Sequence, residues 1–339
     1  MTQRSQRGVF VIAEAGVNHN GSLDLGRRLV DAASKAGADA VKFQTFRADA
    51  LATATVPKAS YQESNDDAST QLEMLRRLEL SDDEHDALIA HCADNDIEFL
   101  STSFDRESVE VLRHRGIQRW KISSCDLTNL PHLRLIGGFG QEVILSTGMA
   151  ALDEVLQAVS VLEQAGTDRS QISVLHCSTA YPTPMPEVNL RAMQTLADAL
   201  PGVRTGYSDH TLGIEVAIAA TACGARVIEK HLTLDKTLPG PEHRASLEPE
   251  EFASMVCAIR HIEAALGNGV KRPMMSELAN RDVARRSLVA ACAIAEGEVF
   301  TEENLTVKRP GTGVSPMLWD EYIGRVAQRA YQRDDLIDA

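Results

Sequence analysis

The chain has 339 residues, of which 44% are hydrophobic and 24% charged, so it carries ample apolar material for a large buried core. Acidic residues outnumber basic ones 48 to 34, for a formal net charge of -14. That balance argues against a nucleic-acid binder, which must neutralise phosphates with Lys and Arg, but not against small anions held by a few local cations. Six cysteines are scattered without CxxC spacing, so no disulfide framework is expected. MTQRSQRG contains no apolar signal-type stretch and the sequence has no apolar run of membrane-spanning length, which points to a cytoplasmic address.

In chain order, short β-branched runs predict strands at Val9–Ala13, Ala40–Phe43, Glu98–Ser101, Gln118–Ile122, Glu142–Leu145, Ser173–Leu175, Arg204–Gly206 and Arg226–Ile228. Between and after them, amphipathic segments predict helices at Leu23–Ala36, Asp82–Asn95, Leu152–Ala165, Leu190–Leu200, Glu215–Cys223 and Glu250–Leu266. Several end in Ala-Gly or Cys-Gly, as helix C-termini do. Eight β/α units in roughly 260 residues suggest an α/β protein with a (β/α)8 TIM barrel, with an open doubly wound sheet as the alternative. The barrel is assigned to 1–267. GNGVKRPMMSELAN has turn residues and no continuation of the pattern, so 268–282 is expected to be a linker. The remainder, 283–339, shows short strands and tight turns and predicts a small β-rich domain that leans on a partner surface.

Polar residues cluster at the C-terminal ends of the predicted strands, the face on which barrel enzymes place their chemistry. They are Glu14, Lys42, Gln44, Thr102, Lys121, Ser124, Asp126, Ser146, Tyr181, Ser208, His210 and His231. Taken singly each has a structural explanation: a strand-end Ser or Thr caps a helix, a lysine packs beside one, and a lone His210 bonds within the core. Together on one rim they favour a site. Two lysines and several hydroxyls suit a phosphate and a carboxylate, His210 and His231 suit one divalent metal, and Glu14 and Asp126 are candidate general bases.

The motifs AEAGVNHNGS, DAVKFQT, FLSTSF, ILSTGM, LHCSTAYPTP, GYSDHT and VIEKHLTLDKTLPGPEH resemble, in order and spacing, the N-acetylneuraminate synthase family, which includes legionaminic and pseudaminic acid synthases. The segment around VKRPGTG resembles the antifreeze-like (SAF) domain of that family. The resemblance implies a metal-dependent condensation of phosphoenolpyruvate with an N-acylated amino sugar, on manganese, magnesium or cobalt, in a domain-swapped homodimer. It implies metal ligation by His210 and His231, phosphoenolpyruvate held by Lys42, Thr102, Lys121, Ser146 and Ser208, and water steered by Glu14 with Asp126. Gln44, Tyr181 and Glu242 would face the sugar, with Arg309 reaching its acylamino group from the partner. Departures sit mainly on the sugar side: Asp126 stands where neuraminate synthases generally have glutamate, and Glu242 where an aspartate is found. Ser178-Thr179 replaces the Thr-Asn of some members, and Arg285-Arg286 precedes Ser287 where bacterial neuraminate synthases have an aromatic. These departures and KRPGTGVSP tilt the expected product toward the legionaminic type. Two other classes are weighed: a pyruvate lyase using Lys42 or Lys121 as a Schiff-base amine, and a carbohydrate-binding protein that keeps the barrel as a scaffold.

Overall fold

The computed structural model describes residues 8–58, 68 and 70–339; the N-terminal stretch examined for a leader lies almost wholly outside them. The chain divides into two compact units, Met1–Gly267 and Asn268–Ala339.

In the first unit eight strands form a closed, all-parallel barrel: β1 (Phe10–Gly16), β2 (Ala40–Thr45), β3 (Glu98–Ser103), β4 (Arg119–Ile122), β5 (Glu142–Ser146), β6 (Ile172–Cys177), β7 (Arg204–Asp209) and β8 (Val227–His231). Closure comes from β1 pairing with β8, from Phe10 opposite Val227 to Glu14 opposite His231. A closed ring excludes the open doubly wound sheet. Most strands run one to three residues further than the apolar pattern predicts. Glu14, Gln44, Thr102, Ser146, Ser208 and His231 are therefore on strands, not in the loops after them.

Strand alternation then sorts the side chains. Ile12, Ala40, Leu100, Ile144, Leu175 and Val227 point inward and form one apolar cluster across the barrel. Two residues further along the same six strands stand Glu14, Lys42, Thr102, Ser146, Cys177 and Glu229, all buried. An apolar plug thus carries a polar layer toward the C-terminal mouth. The outward residues, such as Val11, Val41, Phe43, Val143, Leu145, Val174 and Ile228, make the main core with the surrounding helices.

The helices at Leu23–Lys35, Asp82–Asp94, Leu152–Ala165, Ala192–Ala199, Glu215–Ala222 and Pro249–Leu266 match the predicted ones within one or two residues. Others, at Gln71–Leu78, Arg106–His114 and Leu130–Gly137, are additional. They are short, eight or nine residues each, and their caps carry a further signal, as where Asp105 accepts from the Ser108 backbone N–H at 2.8 Å.

In the second unit β9 (Ser287–Ala290) and β10 (Leu305–Lys308) pair antiparallel over a core that includes Leu288, Ile294, Phe300, Tyr322 and Tyr331. The segment expected to be an unstructured linker contains a helix, Met275–Ala284, with no buried residue. Its Glu277 carboxylate accepts from the Met274 backbone N–H at 2.7 Å, and this local cap with good helix formers outweighs the turn residues that precede it. Among the described residues no helix is long and apolar enough to cross a membrane.

Candidate active site

The polar layer is built around two lysines. Lys42 on β2 forms an ion pair with Glu14 on β1 and donates to Thr102 Oγ1 on β3 at 2.8 Å. Lys121 on β4 donates to Ser146 Oγ on β5 at 2.8 Å. Between them lies Glu229 on β8, its oxygens 3.7 Å from Lys42 Nζ and 3.5 Å from Lys121 Nζ, and it accepts from Ser208 Oγ on β7 at 2.9 Å. Seven strands therefore converge on one buried cluster. Glu229 has no assigned role in the sequence analysis; counting by twos from His231 would have turned it inward with the lysines.

Burial and charge divide the carboxyls. Burial pushes Glu14 up to about 8, with Glu229 and Glu242 adding to the push and Lys42 opposing it. Burial also works against the charge on Glu229, but Lys121, Lys42 and the Ser208 hydroxyl outweigh it and hold that carboxylate at about 2. Burial disfavours the Lys42 ammonium too, yet Glu14 and Glu229 raise it; Lys121, with less compensation, is held below its ordinary value. Two ammoniums thus face one firmly charged carboxylate and one carboxyl that titrates near neutrality. The layer has positive charge left over for an anion.

Beside it stands an aromatic group. The His210 and His231 ring centroids are 5.3 Å apart, and Tyr181 lies 4.1 Å from His210 and 5.7 Å from His231. Burial holds His210 at about 4 and His231 well below the ordinary histidine range, so both imidazoles are neutral at pH 7 and able to offer a lone pair. His210 Nδ1 is bonded to the Ser178 carbonyl at 2.5 Å, which directs Nε2 away from it, and among the described residues His231 Nδ1 has no hydrogen-bond partner. Such a pair fits a divalent ion that completes its shell with non-protein oxygens; no group of three or more His, Cys, Asp or Glu suited to a metal occurs among the described residues.

Glu242 is 3.5 Å from His231 Nδ1 and accepts from Gln44 Nε2 at 3.4 Å, so two of the residues expected on the sugar side are adjacent. Gly16 makes this possible: at φ +52° in a β1 bulge, a Cβ there would press on Glu242, on Glu14 Oε1 at 3.2 Å and on Gln44 Nε2 at 3.3 Å. Ser124 Oγ accepts from the Gly148 backbone N–H at 2.9 Å and lies 3.3 Å from Cys177 Sγ. Asp126 is not drawn into the cluster. Its oxygens accept from Ser123 Oγ at 2.8 Å and Asn129 Nδ2 at 3.1 Å, bonds that close the turn after β4. Arg309 belongs to the second unit, where it follows β10 and is exposed.

Comparison with known proteins gives the same picture. The NeuB family model matches residues 29–271, and the SAF domain model matches 285–339. The chain is 48% identical to the N,N'-diacetyllegionaminic acid synthase of Campylobacter jejuni, covering 97% of this chain and 98% of that one, and 47% identical to the enzyme of that name from Legionella pneumophila, covering 93% and 89%. Among solved structures, the N-acetylneuraminic acid (sialic acid) synthetase of Leptospira borgpetersenii superposes with a TM-score of 0.71 at 35% identity, over 81% of this chain and 90% of that one. The chain belongs to the NeuB family and carries a SAF domain at residues 285–339.

Proposed function

We propose that this protein condenses phosphoenolpyruvate with a 2,4-diacetamido-2,4,6-trideoxymannose to give N,N'-diacetyllegionaminic acid and phosphate. The single observation that carries this is the pair of buried lysines sharing one carboxylate beside two neutral histidines, in a family whose similar members include N,N'-diacetyllegionaminic acid synthases.

Lys42, Lys121, Thr102, Ser146 and Ser208 bind the phosphate and carboxylate of phosphoenolpyruvate, with Ser124 and the Gly148 N–H at the β4–β5 edge. His210 and His231 hold a divalent ion, manganese first among the candidates, with magnesium and cobalt equally compatible with the donor set. When bound it supplies Lewis acidity toward the sugar aldehyde. Tyr181, Gln44 and Glu242 face the sugar, which brings its aldehyde carbon to C3 of phosphoenolpyruvate. The C3–C1 bond forms as the aldehyde oxygen takes up a proton and becomes a hydroxyl, a water adds at C2 as one of its protons passes to Glu14, and the C2–O bond to phosphate breaks. Loss of the remaining hydroxyl proton leaves the 2-keto acid. A carboxyl that titrates near 8 is matched to such proton transfer at neutral pH. Asp126, engaged with Ser123 and Asn129, acts on the β4 turn that carries Ser124 and not on the water.

Arg309 contacts the acylamino group from the second subunit of a homodimer, with the 1–267 barrel and the 283–339 module contributed by different chains. An Arg309→Ala chain mixed with a Lys121→Met chain, each inactive alone, then recovers activity. Use of phosphoenolpyruvate fits a cytoplasmic enzyme.

The direct test is phosphate release with Mn(II), supplying the 2,4-diacetamido sugar and N-acetylmannosamine in parallel. Faster release with the diacetamido sugar, abolished by EDTA, is the expected result. Faster release with N-acetylmannosamine would replace the substrate. One observation favours a second reading: burial holds the Lys121 ammonium low, as a Schiff-base amine requires. Borohydride in the presence of pyruvate traps Lys121 only if that reading holds.

A further inference from the structure

The outward faces of the barrel strands are mostly apolar, with a few neutral polar residues such as Thr45, Ser101 and His176, and at the end of β7 and β8 they carry a charged pair. Asp209 and Lys230 are register partners there, and both side chains are fully buried. Lys230 Nζ donates to Asp209 Oδ2 at 2.7 Å and to the Thr211 carbonyl at 2.6 Å. Asp209 Oδ1 in turn accepts from the Thr211 backbone N–H at 3.0 Å and the Thr211 hydroxyl at 2.7 Å. Removing both charges from water is expensive, and an apolar pair of the same volume would serve packing equally well.

Its position explains it. Three consecutive residue pairs link the end of β7 to β8: the ladder partners Ser208 with Glu229 and Asp209 with Lys230, then His210, just past β7, whose ring lies 5.3 Å from that of His231. The first and third face the barrel interior and the second faces outward. One ammonium grips residues 209 and 211, on both sides of His210, and is itself the neighbour of His231. We propose that Asp209 and Lys230 are positioning residues that fix the separation of the two imidazoles and so set the affinity of the divalent-ion site. This rests on the assignment of His210 and His231 as ligands. Neither residue touches substrate, and their effect passes through the backbone of the two histidines.

The test uses the full-length protein, stripped with EDTA, and Co(II) alone as the probe. Wild type is titrated by calorimetry and by the ligand-field absorption of bound cobalt. The double variant Asp209→Asn/Lys230→Met removes both charges while keeping side-chain volume and the acceptor for Thr211. It is expected to melt within a few degrees of wild type and bind phosphoenolpyruvate as tightly in the absence of metal. Its Co(II) affinity is expected to fall about tenfold to a hundredfold, the range typical of groups that orient metal ligands, with an altered cobalt spectrum. A folded double variant with wild-type Co(II) affinity and spectrum overturns the proposal. If the double variant does not fold, Thr211→Val decides. It loses the Asp209–hydroxyl bond alone, and Co(II) binding weakened severalfold with phosphoenolpyruvate binding kept supports the proposal, whereas unchanged binding overturns it. A His210→Ala/His231→Ala variant is run alongside. If it binds Co(II) like wild type, the ligand assignment itself has failed, a result distinct from failure of the positioning role.

Discussion

Both ends of the barrel hold cations among glutamates, yet the two arrangements differ in burial and in completeness. At the N-terminal end Arg119 lies between Glu98 at 2.6 Å and Glu142 at 2.8 Å, with Arg204 also on Glu142 and Phe10 beneath the Arg119 guanidinium at 4.1 Å. Those side chains are 13% to 40% exposed, so water shares in their solvation. At the C-terminal end Lys42, Lys121, Glu14 and Glu229 are 3% to 6% exposed. There Glu229 Oε2 and His231 Nδ1 make no hydrogen bond among the described residues. The first set plugs a barrel mouth at modest electrostatic cost. The second is crowded, dry and incompletely partnered, which is what a site prepared for an anion and a metal looks like.

Substitutions at the two ends should therefore fail in different ways. The largest contrast is expected between Lys121→Met and Arg119→Met. The first should lower kcat/KM by at least a hundredfold, about 3 kcal/mol in the transition state, as for other groups that stabilise developing charge. The second should leave kcat within twofold while lowering stability by about 1 kcal/mol, since its pairs are part-exposed. Steady-state kinetics and denaturant melts on both variants measure this, and equal kinetic effects would erase the distinction between the ends.

Glu14→Gln tests whether the upper cluster is strained. Because the folded pKa of Glu14 is raised above the unfolded value near 4.5, its contribution is fully favourable below that pH and is lost as pH rises toward about 8. The stability of the metal-free variant relative to wild type should grow across that window, by at most about 1.4 kcal/mol per pH unit. Denaturation with EDTA at pH 5 and pH 8 checks the sign. A difference that shrinks with pH would mean Glu14 is an ordinary ion-pair carboxylate.

Gly16→Ala should be milder. Positive φ and the approach to Glu14, Gln44 and Glu242 should cost about 1–2 kcal/mol of stability and raise KM for the sugar more than for phosphoenolpyruvate. Equal changes in both KM values would remove Gly16 from the sugar side. The smallest effect is expected at Asp126: Asp126→Asn should change kcat by less than threefold, since its bonds close a turn. A loss of a hundredfold would return Asp126 to the attacking water.

The eight strands were legible in the sequence because short runs of apolar and β-branched residues alternate with helical patterns, and so was the family, through seven ordered motifs. The inward polar layer was not, because the strand pattern places Lys42 and Lys121 on strands without fixing the face they share, and Glu229 lies just past the predicted eighth strand. Only closure of the barrel turns them inward as one layer. Glu229 was invisible as a hub for the same reason: its partners lie 187 and 108 residues earlier in the chain, a separation no local pattern spans. Asp126 shows the opposite limit of a local pattern. A polar residue just past a strand suggests chemistry, but its hydrogen bonds to Ser123 and Asn129 are those of a turn.

The account stands or falls on where phosphoenolpyruvate binds, and a crystal structure of the protein with that ligand and no sugar measures this directly. The expected result places its phosphate and carboxylate against Lys42, Lys121, Ser146 and Ser208, with Glu229 between the lysines beneath it. Phosphoenolpyruvate bound at the Arg119 end, or outside the barrel mouth with both lysines still paired only to Glu14 and Glu229, would contradict it.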